Sequence, residues 1–69
     1  MKKSFIFDVC LDYLKFYDYF LKDFHKNQYL EFIELCEKYN NNDYTIDDIF
    51  HAGEVYKSLC DAIALFKNR

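Results

Sequence analysis

Residues 39–50 read YNNNDYTIDDIF, and the fold follows from how that stretch is parsed. The run Asn40, Asn41, Asn42, Asp43 is a loop, because Asn and Asp tolerate left-handed backbone and hydrogen-bond their own main chain. Thr45 stands three residues before Asp48, an acidic variant of the capping box, while Tyr44 and Ile49 are spaced as a hydrophobic staple. Asp47 and Asp48 also fall where the helix dipole favours negative charge. A helix therefore starts at Thr45.

Downstream of that cap, Ile49, Ala52, Tyr56, Leu59, Ile63 and Phe66 recur at alternating steps of three and four, with Val55 and Cys60 beside them. Such spacing predicts a helix over residues 45–67. Gly53 lies near this stripe. In a helix interior Gly costs about 1 kcal/mol relative to Ala, and the close approach of a neighbouring helix is the expected compensation.

Upstream of the loop, Tyr29, Phe32, Ile33, Cys36 and Tyr39 share one face and Glu31, Glu34 and Lys38 the other, which predicts a helix over residues 28–39. Earlier still, Ile6, Cys10, Tyr13, Tyr17, Phe20 and Phe24 form a third stripe flanked by Phe7, Leu14 and Leu21. It predicts a helix over residues 4–24 with Ser4 as N-cap. Extending that stripe past Phe24 lands on polar residues, so the hydrophobic phase jumps between residues 25 and 28. The alternative is one long kinked helix over residues 4–39, giving a long-helix hairpin, since neither Pro nor Gly enforces a break there.

With no Pro and one Gly among 69 residues, the chain lacks the usual material of tight hairpins, which disfavours a β fold. The expected fold is all-α: a small antiparallel three-helix bundle forming a single domain over residues 1–69. A domain of this size buries only about 60% of the surface its unfolded chain exposes. With 52% hydrophobic and 30% charged residues, it is too apolar for disorder. No apolar run approaches the roughly 20 residues of a membrane span. Asp8 and Asp12 interrupt any secretory-signal pattern, and Cys10, Cys36 and Cys60 are an odd, well-separated set. Reduced thiols in a cytoplasmic protein are expected.

Nothing in the sequence composes a catalytic motif, and no enzyme activity or cofactor is expected. The five residues Cys10, Cys36, Cys60, His25 and His51 have no close metal-ligand pairing. The stretch from Asn41 fails as a calcium loop, because its sixth position is Ile46 and its twelfth Ala52. The cysteines fall on apolar stripes and read as core, and both histidines read as solvated or capping residues.

Charge is unevenly distributed: residues 1–26 carry +1, residues 27–54 carry −6 and residues 55–69 carry +2. Glu31, Glu34, Glu37, Asp43, Asp47, Asp48 and Glu54 form an acidic middle third, suited to a basic protein partner and repellent to nucleic-acid phosphates. Its plainer role is to keep a hydrophobic small protein soluble. Direct nucleic-acid binding is disfavoured, because Lys2, Lys3, Lys15, Lys22 and Lys26 are interleaved with Asp.

Aromatic residues make up 22% of the chain, eight Phe and seven Tyr. Tyr19 and Phe50 fall outside the stripes, as do Leu30 and Leu65, and the apolar arc of the first helix covers about half its circumference, more than the ~100° one neighbour needs. Three short helices cannot bury all of this among themselves. The sequence therefore predicts a homo-oligomer, with a dimer favoured, through an interface drawn from Phe16, Tyr17, Tyr19, Phe20 and Phe50, Tyr being a favoured interface anchor.

The expected function is a non-enzymatic helical interaction module, such as a small inhibitor, antitoxin or adaptor. Two alternatives remain open: a small-ligand or nucleotide sequestering protein with an aromatic pocket between protomers, and an acidic mimic of nucleic acid. Residues with AT-rich codons (Phe, Tyr, Ile, Asn and Lys) supply 33 of the 69 positions, pointing to a low-GC bacterium or a phage or plasmid within one.

Overall fold

The computed structural model describes residues 6–68, with side chains from Asp8 onward. The described residues form four helices: α1 (Ile6–Phe16), α2 (Asp18–Phe24), α3 (Lys26–Asn40) and α4 (Ile46–Lys67). They contain no strand. The all-α expectation holds, while Ser4 lies outside the described residues.

The junction between α3 and α4 is built as its residues imply. Asn42 adopts φ 59°, the left-handed conformation. Its N–H and that of Asp43 donate back to the carbonyls of Tyr39 and Lys38 at 3.1 and 2.8 Å, a Schellman closure with Asn where Gly is commoner. Thr45 is extended, its hydroxyl accepts from the Asp48 N–H at 3.2 Å, and its own N–H donates to the Asp48 carboxylate at 2.9 Å. Lys38 reaches that carboxylate from α3 at 3.1 Å. The Thr45 N–H first, then the Lys38 ammonium, holds the Asp48 carboxyl below the usual carboxylate range.

Pairing is most extensive between α3 and α4, and their polar contacts run in opposite order along the two helices. Gln28 meets Ser58 at 3.3 Å, Glu31 meets His51 at 2.7 Å and Lys38 meets Asp48. Between them Phe32 stacks on Tyr56 at 5.7 Å.

The first half of the chain departs from expectation. The single helix predicted over residues 4–24 is divided at Tyr17, which leaves helical geometry at φ −109°, ψ 26°. Its N–H bonds to the Leu14 carbonyl only three residues back, at 2.9 Å, so the turn tightens locally. A second interruption falls on His25, at φ −138°, ψ 38°, at the edge of the region where the hydrophobic phase jumps. Both breaks are one residue long. Hydrogen bonds run through them, from Leu21 N–H to Tyr17 and from Tyr29 N–H to His25, each 3.0 Å. The chain is neither one long helix nor two helices separated by a loop.

A side-chain tie spans the second bend. The hydroxyl of buried Tyr29 donates to Asp18 at 2.7 Å, and Lys22 pairs with the same carboxylate at 3.2 Å. Asp18 is the first residue of α2, where the dipole favours an anion. The Tyr29 hydroxyl first, then Lys22, holds its carboxyl below the ordinary range. Burial, reinforced by this carboxylate, pushes the Tyr29 phenol up.

One core draws on all four helices. It comprises Leu14 of α1, Phe20 and Leu21 of α2, Tyr29, Phe32, Leu35 and Cys36 of α3, and Ala52, Val55, Leu59 and Ile63 of α4. Most of the α3 and α4 residues are those the stripes predict. In the first half the face is rotated: Tyr13 and Phe24, placed on the expected stripe, are exposed, whereas the flanking Leu14 and Leu21 are fully buried. Gly53 also corrects expectation. It is exposed on α4, and a Cβ added there would meet nothing within 4 Å, so no neighbouring helix compensates for it within the chain.

The molecule measures 41 × 23 × 16 Å with a radius of gyration of 12.2 Å. That is larger than the ~11 Å typical of a compact domain of this length. No helix of the described residues is long and apolar enough to cross a membrane.

Two stability predictions follow from the α4 geometry. Thr45→Ala removes the hydroxyl that satisfies the Asp48 amide and is expected to cost about 0.5 to 2 kcal/mol. An unchanged denaturation midpoint would show that the cap contributes nothing. Gly53→Ala adds a methyl to open space in a helix interior and is expected to raise monomer stability by about 0.5 to 1 kcal/mol, read as a higher urea midpoint at low protein concentration.

Candidate interaction surface

Two groups of ring contacts lie along the first half of the chain and the end of α4, one around Tyr17 and one around Phe20 and Phe66. Tyr17 sits between Tyr13 and Phe16, with ring centroids 5.5 Å away in each case and edge-on geometry. The Lys67 ammonium lies 6.0 Å from the Tyr17 ring. One residue earlier on α4, Phe66 stacks on Phe20 at 4.2 Å and meets the edge of Tyr19 at 6.2 Å. Phe20 in turn packs against Phe24 and His25 at 5.5 and 5.6 Å.

Much of this surface is open to solvent. Phe16 is 77% exposed, Tyr19 62%, Phe24 72% and Leu65 74%. Apolar patches larger than a few hundred Å² are uncommon on soluble monomers unless something covers them. Between α2 and α4 the surface dips into a cavity of about 260 Å³ lined by Phe20, Phe24, His25, Ala62, Leu65 and Phe66. Small-molecule sites usually enclose ~300–1,000 Å³, so this one suits a single inserted side chain better than a nucleotide. A larger open cavity of about 560 Å³ adjoins it across Phe24 and His25, lined elsewhere by Asp23, Lys26, Asn27, Gln28 and Ser58. No Tyr lines it.

Of the five interface residues expected from sequence, Phe16, Tyr17, Tyr19 and Phe20 belong to this surface. Phe20 contributes from below, at 7% exposure within the core. Phe50 is exposed but lies near the start of α4, at the far end from Phe66. Phe24, which the stripe places in the core, is exposed instead, and with Leu65, which falls outside the α4 stripe, it lines the cavity. The signal that could have joined them is Phe66, which follows Leu65 and serves as the hub for Tyr19 and Phe20.

The acidic residues are partly engaged. The His51 Nε2–H donates to the Glu31 carboxylate at 2.7 Å, and Glu54 lies 3.9 Å from the other ring nitrogen. Asp48 is held by the α4 cap and Lys38. Glu34, Glu37, Asp43 and Asp47 are exposed, the first two on α3 and the others around the start of α4. They make a charged end.

The cysteines are all free. Cys36 is buried in the core, and burial pushes its thiol up to about 11. Burial likewise raises Cys10, partly offset by a hydrogen bond with the Tyr56 hydroxyl. Tyr56 also bonds Cys60, so this phenol sits between two thiols on different helices. Protonated thiols are poor nucleophiles and poor metal ligands. No group of three or more His, Cys, Asp or Glu among the described residues is placed to hold a metal ion.

His51 is raised above the ordinary imidazole value, chiefly by its hydrogen bond to Glu31. The pair links α3 to α4 and its stabilisation is fully present below the unfolded value of about 6.5. It fades as pH rises through the higher folded value, because the neutral imidazole loses the charge that attracts the carboxylate. His51→Gln is therefore expected to lower the melting midpoint relative to wild type at about pH 6 and to leave it equal by about pH 9. Both groups are exposed, so the difference is small and shrinks in high salt.

No known protein family matches the chain, and neither does any curated protein or solved structure.

Proposed function

We propose that the chain is a non-enzymatic helical interaction module that self-associates and acts by covering a partner's surface, in the manner of a small inhibitor, antitoxin or adaptor. The observation that carries this reading is the exposure of large apolar residues, with Tyr19, Phe24 and Leu65 open to solvent near Phe66 and Phe16 beside Tyr17. Large aromatic side chains supply contact area at low entropic cost, and anchors of this type dominate binding energy. Removing them from water against a second copy would also add core to a domain that has little.

On this reading α1 and α2 act as one bent arm, packed with α3 and α4 as an antiparallel three-arm bundle. The cavities and thiols described above lend less to a sequestering role or to catalysis. A cytoplasmic setting fits three free cysteines, which an oxidising compartment would tend to cross-link. Glu34, Glu37, Asp43 and Asp47 would then favour a partner carrying basic side chains.

Sedimentation equilibrium tests the core of the proposal. The weight-average mass is expected to rise above 8.5 kDa as concentration increases, and apparent thermal stability to rise with it by mass action. A constant 8.5 kDa up to about millimolar concentration, where even weak contacts with free energies near −4 kcal/mol become populated, would overturn self-association.

A further inference from the structure

The two reversals of the chain are built on connections of different length. Between α3 and α4 residues 41–45 intervene, closed by the bonds from Asn42 and Asp43 and by the Thr45 cap. Between α2 and α3 there is His25 alone. Helix-to-helix connections in bundles ordinarily take roughly 2–8 residues, yet the arm formed by α1 and α2 folds back far enough for both helices to pack on α3. Tyr29 and Asp18 meet at 2.7 Å across it, whereas an unbroken helix would hold residues so spaced about 16 Å apart.

The hinge also leaves the start of α3 unfinished. Among the described residues the N–H groups of Lys26, Asn27 and Gln28 donate to no backbone carbonyl, and the His25 side chain does not cap them. Straightening His25 into helical geometry would bring the carbonyls of Lys22, Asp23 and Phe24 within their reach, four residues back in each case. The surroundings leave room for that change. Residues 22–24 and 26–28 are exposed, and helical bonds already bracket the hinge, from the His25 N–H to Leu21 at 2.7 Å and from the Tyr29 N–H to His25 at 3.0 Å.

We infer that two copies of this chain exchange arms, His25 straightening so that residues 18–40 run as one helix and α1 and α2 of each copy pack on α3 and α4 of the other. The inference rests on the self-association proposed above and names its mechanism. A straight helix carries the arm away from its own α4, so Leu14, Phe20 and Leu21 are buried only where a second copy offers the same seat. Tyr29 then bonds Asp18 of that copy. The contacts between arm and body are kept and the hinge alone differs, which makes exchange of an identical element a low-cost route to a dimer. A hinge as short as this one invites it. The other hairpin stays within one copy, because its loop has residues enough to turn and Lys38–Asp48 and Glu31–His51 hold α3 to α4. Each copy gives one arm and receives one, so the assembly closes at two. Exchange does not depend on what covers the exposed rings.

A Gly-Ser-Gly insertion after His25 lengthens the hinge and leaves the surfaces of the molecule in place. Wild type refolded from urea at about millimolar concentration, so that arms can exchange, is expected to sediment at twice 8.5 kDa and no more, and the insertion variant at 8.5 kDa. In dimers refolded from isotope-labelled and unlabelled copies, the Phe20–Phe66 ring contact of 4.2 Å is expected as a cross-peak between copies, a readout that holds even if the insertion variant fails to fold. An insertion variant that dimerises as tightly as wild type, an assembly that grows past dimer, or a Phe20–Phe66 cross-peak confined within each copy would overturn arm exchange and leave self-association standing. A wild type that is monomeric throughout would overturn both.

Discussion

The 22 residues of α4 span about 33 Å, whereas residues 6–40 drawn out as one helix would run about 52 Å at the same rise per residue. The first half of the chain can cover α4 only by bending, and most of the structure answers to that mismatch. Tyr17 and His25 absorb it as single-residue departures from helical geometry, with hydrogen bonds continuing through both. Neither bend is enforced by Pro or Gly. What holds the second is tertiary: Tyr29 reaches across it to Asp18, while Leu14 and Leu21 on either side of the first are both fully buried.

That origin explains which parts of the fold are legible in the sequence. The α3–α4 junction is written in local chemistry, with Asn42 able to take left-handed backbone and the Thr45 and Asp48 groups able to satisfy each other, so its position can be read without knowledge of the rest. The α4 stripe is legible for the same reason, since an uninterrupted helix keeps its register from Ala52 to Ile63. The division at Tyr17 is not, because a one-residue bend leaves the apolar residues spaced almost as before. Drawing one stripe across that bend misplaces the buried face, so Tyr13 and Phe24 are exposed and Leu14 and Leu21 are central. Gly53 is a related case, where proximity to a stripe suggested close packing and the backbone turned the position outward.

The polar ties are distributed differently from the apolar ones. Glu31–His51 and Lys38–Asp48 both join α3 to α4, on the half of the molecule that also carries the exposed carboxylates. No buried side-chain nitrogen or oxygen among the described residues lacks a partner. Polar groups therefore define register between α3 and α4 near the loop, whereas ring packing through Phe66 joins α2 to the other end of α4. Sequence places seven acids in the middle third but gives no sign of which will be neutralised. That depends on the approach of α3 to α4, which brings His51 to Glu31 from twenty residues away.

This division makes the two ends of the molecule chemically unlike, and the difference follows from where the aromatic residues could be accommodated. Phe32, Tyr29 and Tyr56 lie where α3 and α4 are in continuous contact and become core or nearly so. Phe16, Tyr19 and Phe24 lie on the bent arm, which meets α4 over a shorter stretch, and only Phe20 of that set finds enough cover to be buried. If these rings served only to fill a monomer's interior, smaller or polar side chains at Phe16, Tyr19 and Phe24 would cost the fold little, because their burial here is slight. Large aromatic groups held at a surface by a ring-stacked support contribute when something else removes them from water. The elongated body and the exposed aromatic residues thus share one physical source: a first half of the chain that meets α4 over too short a stretch to bury all of its rings.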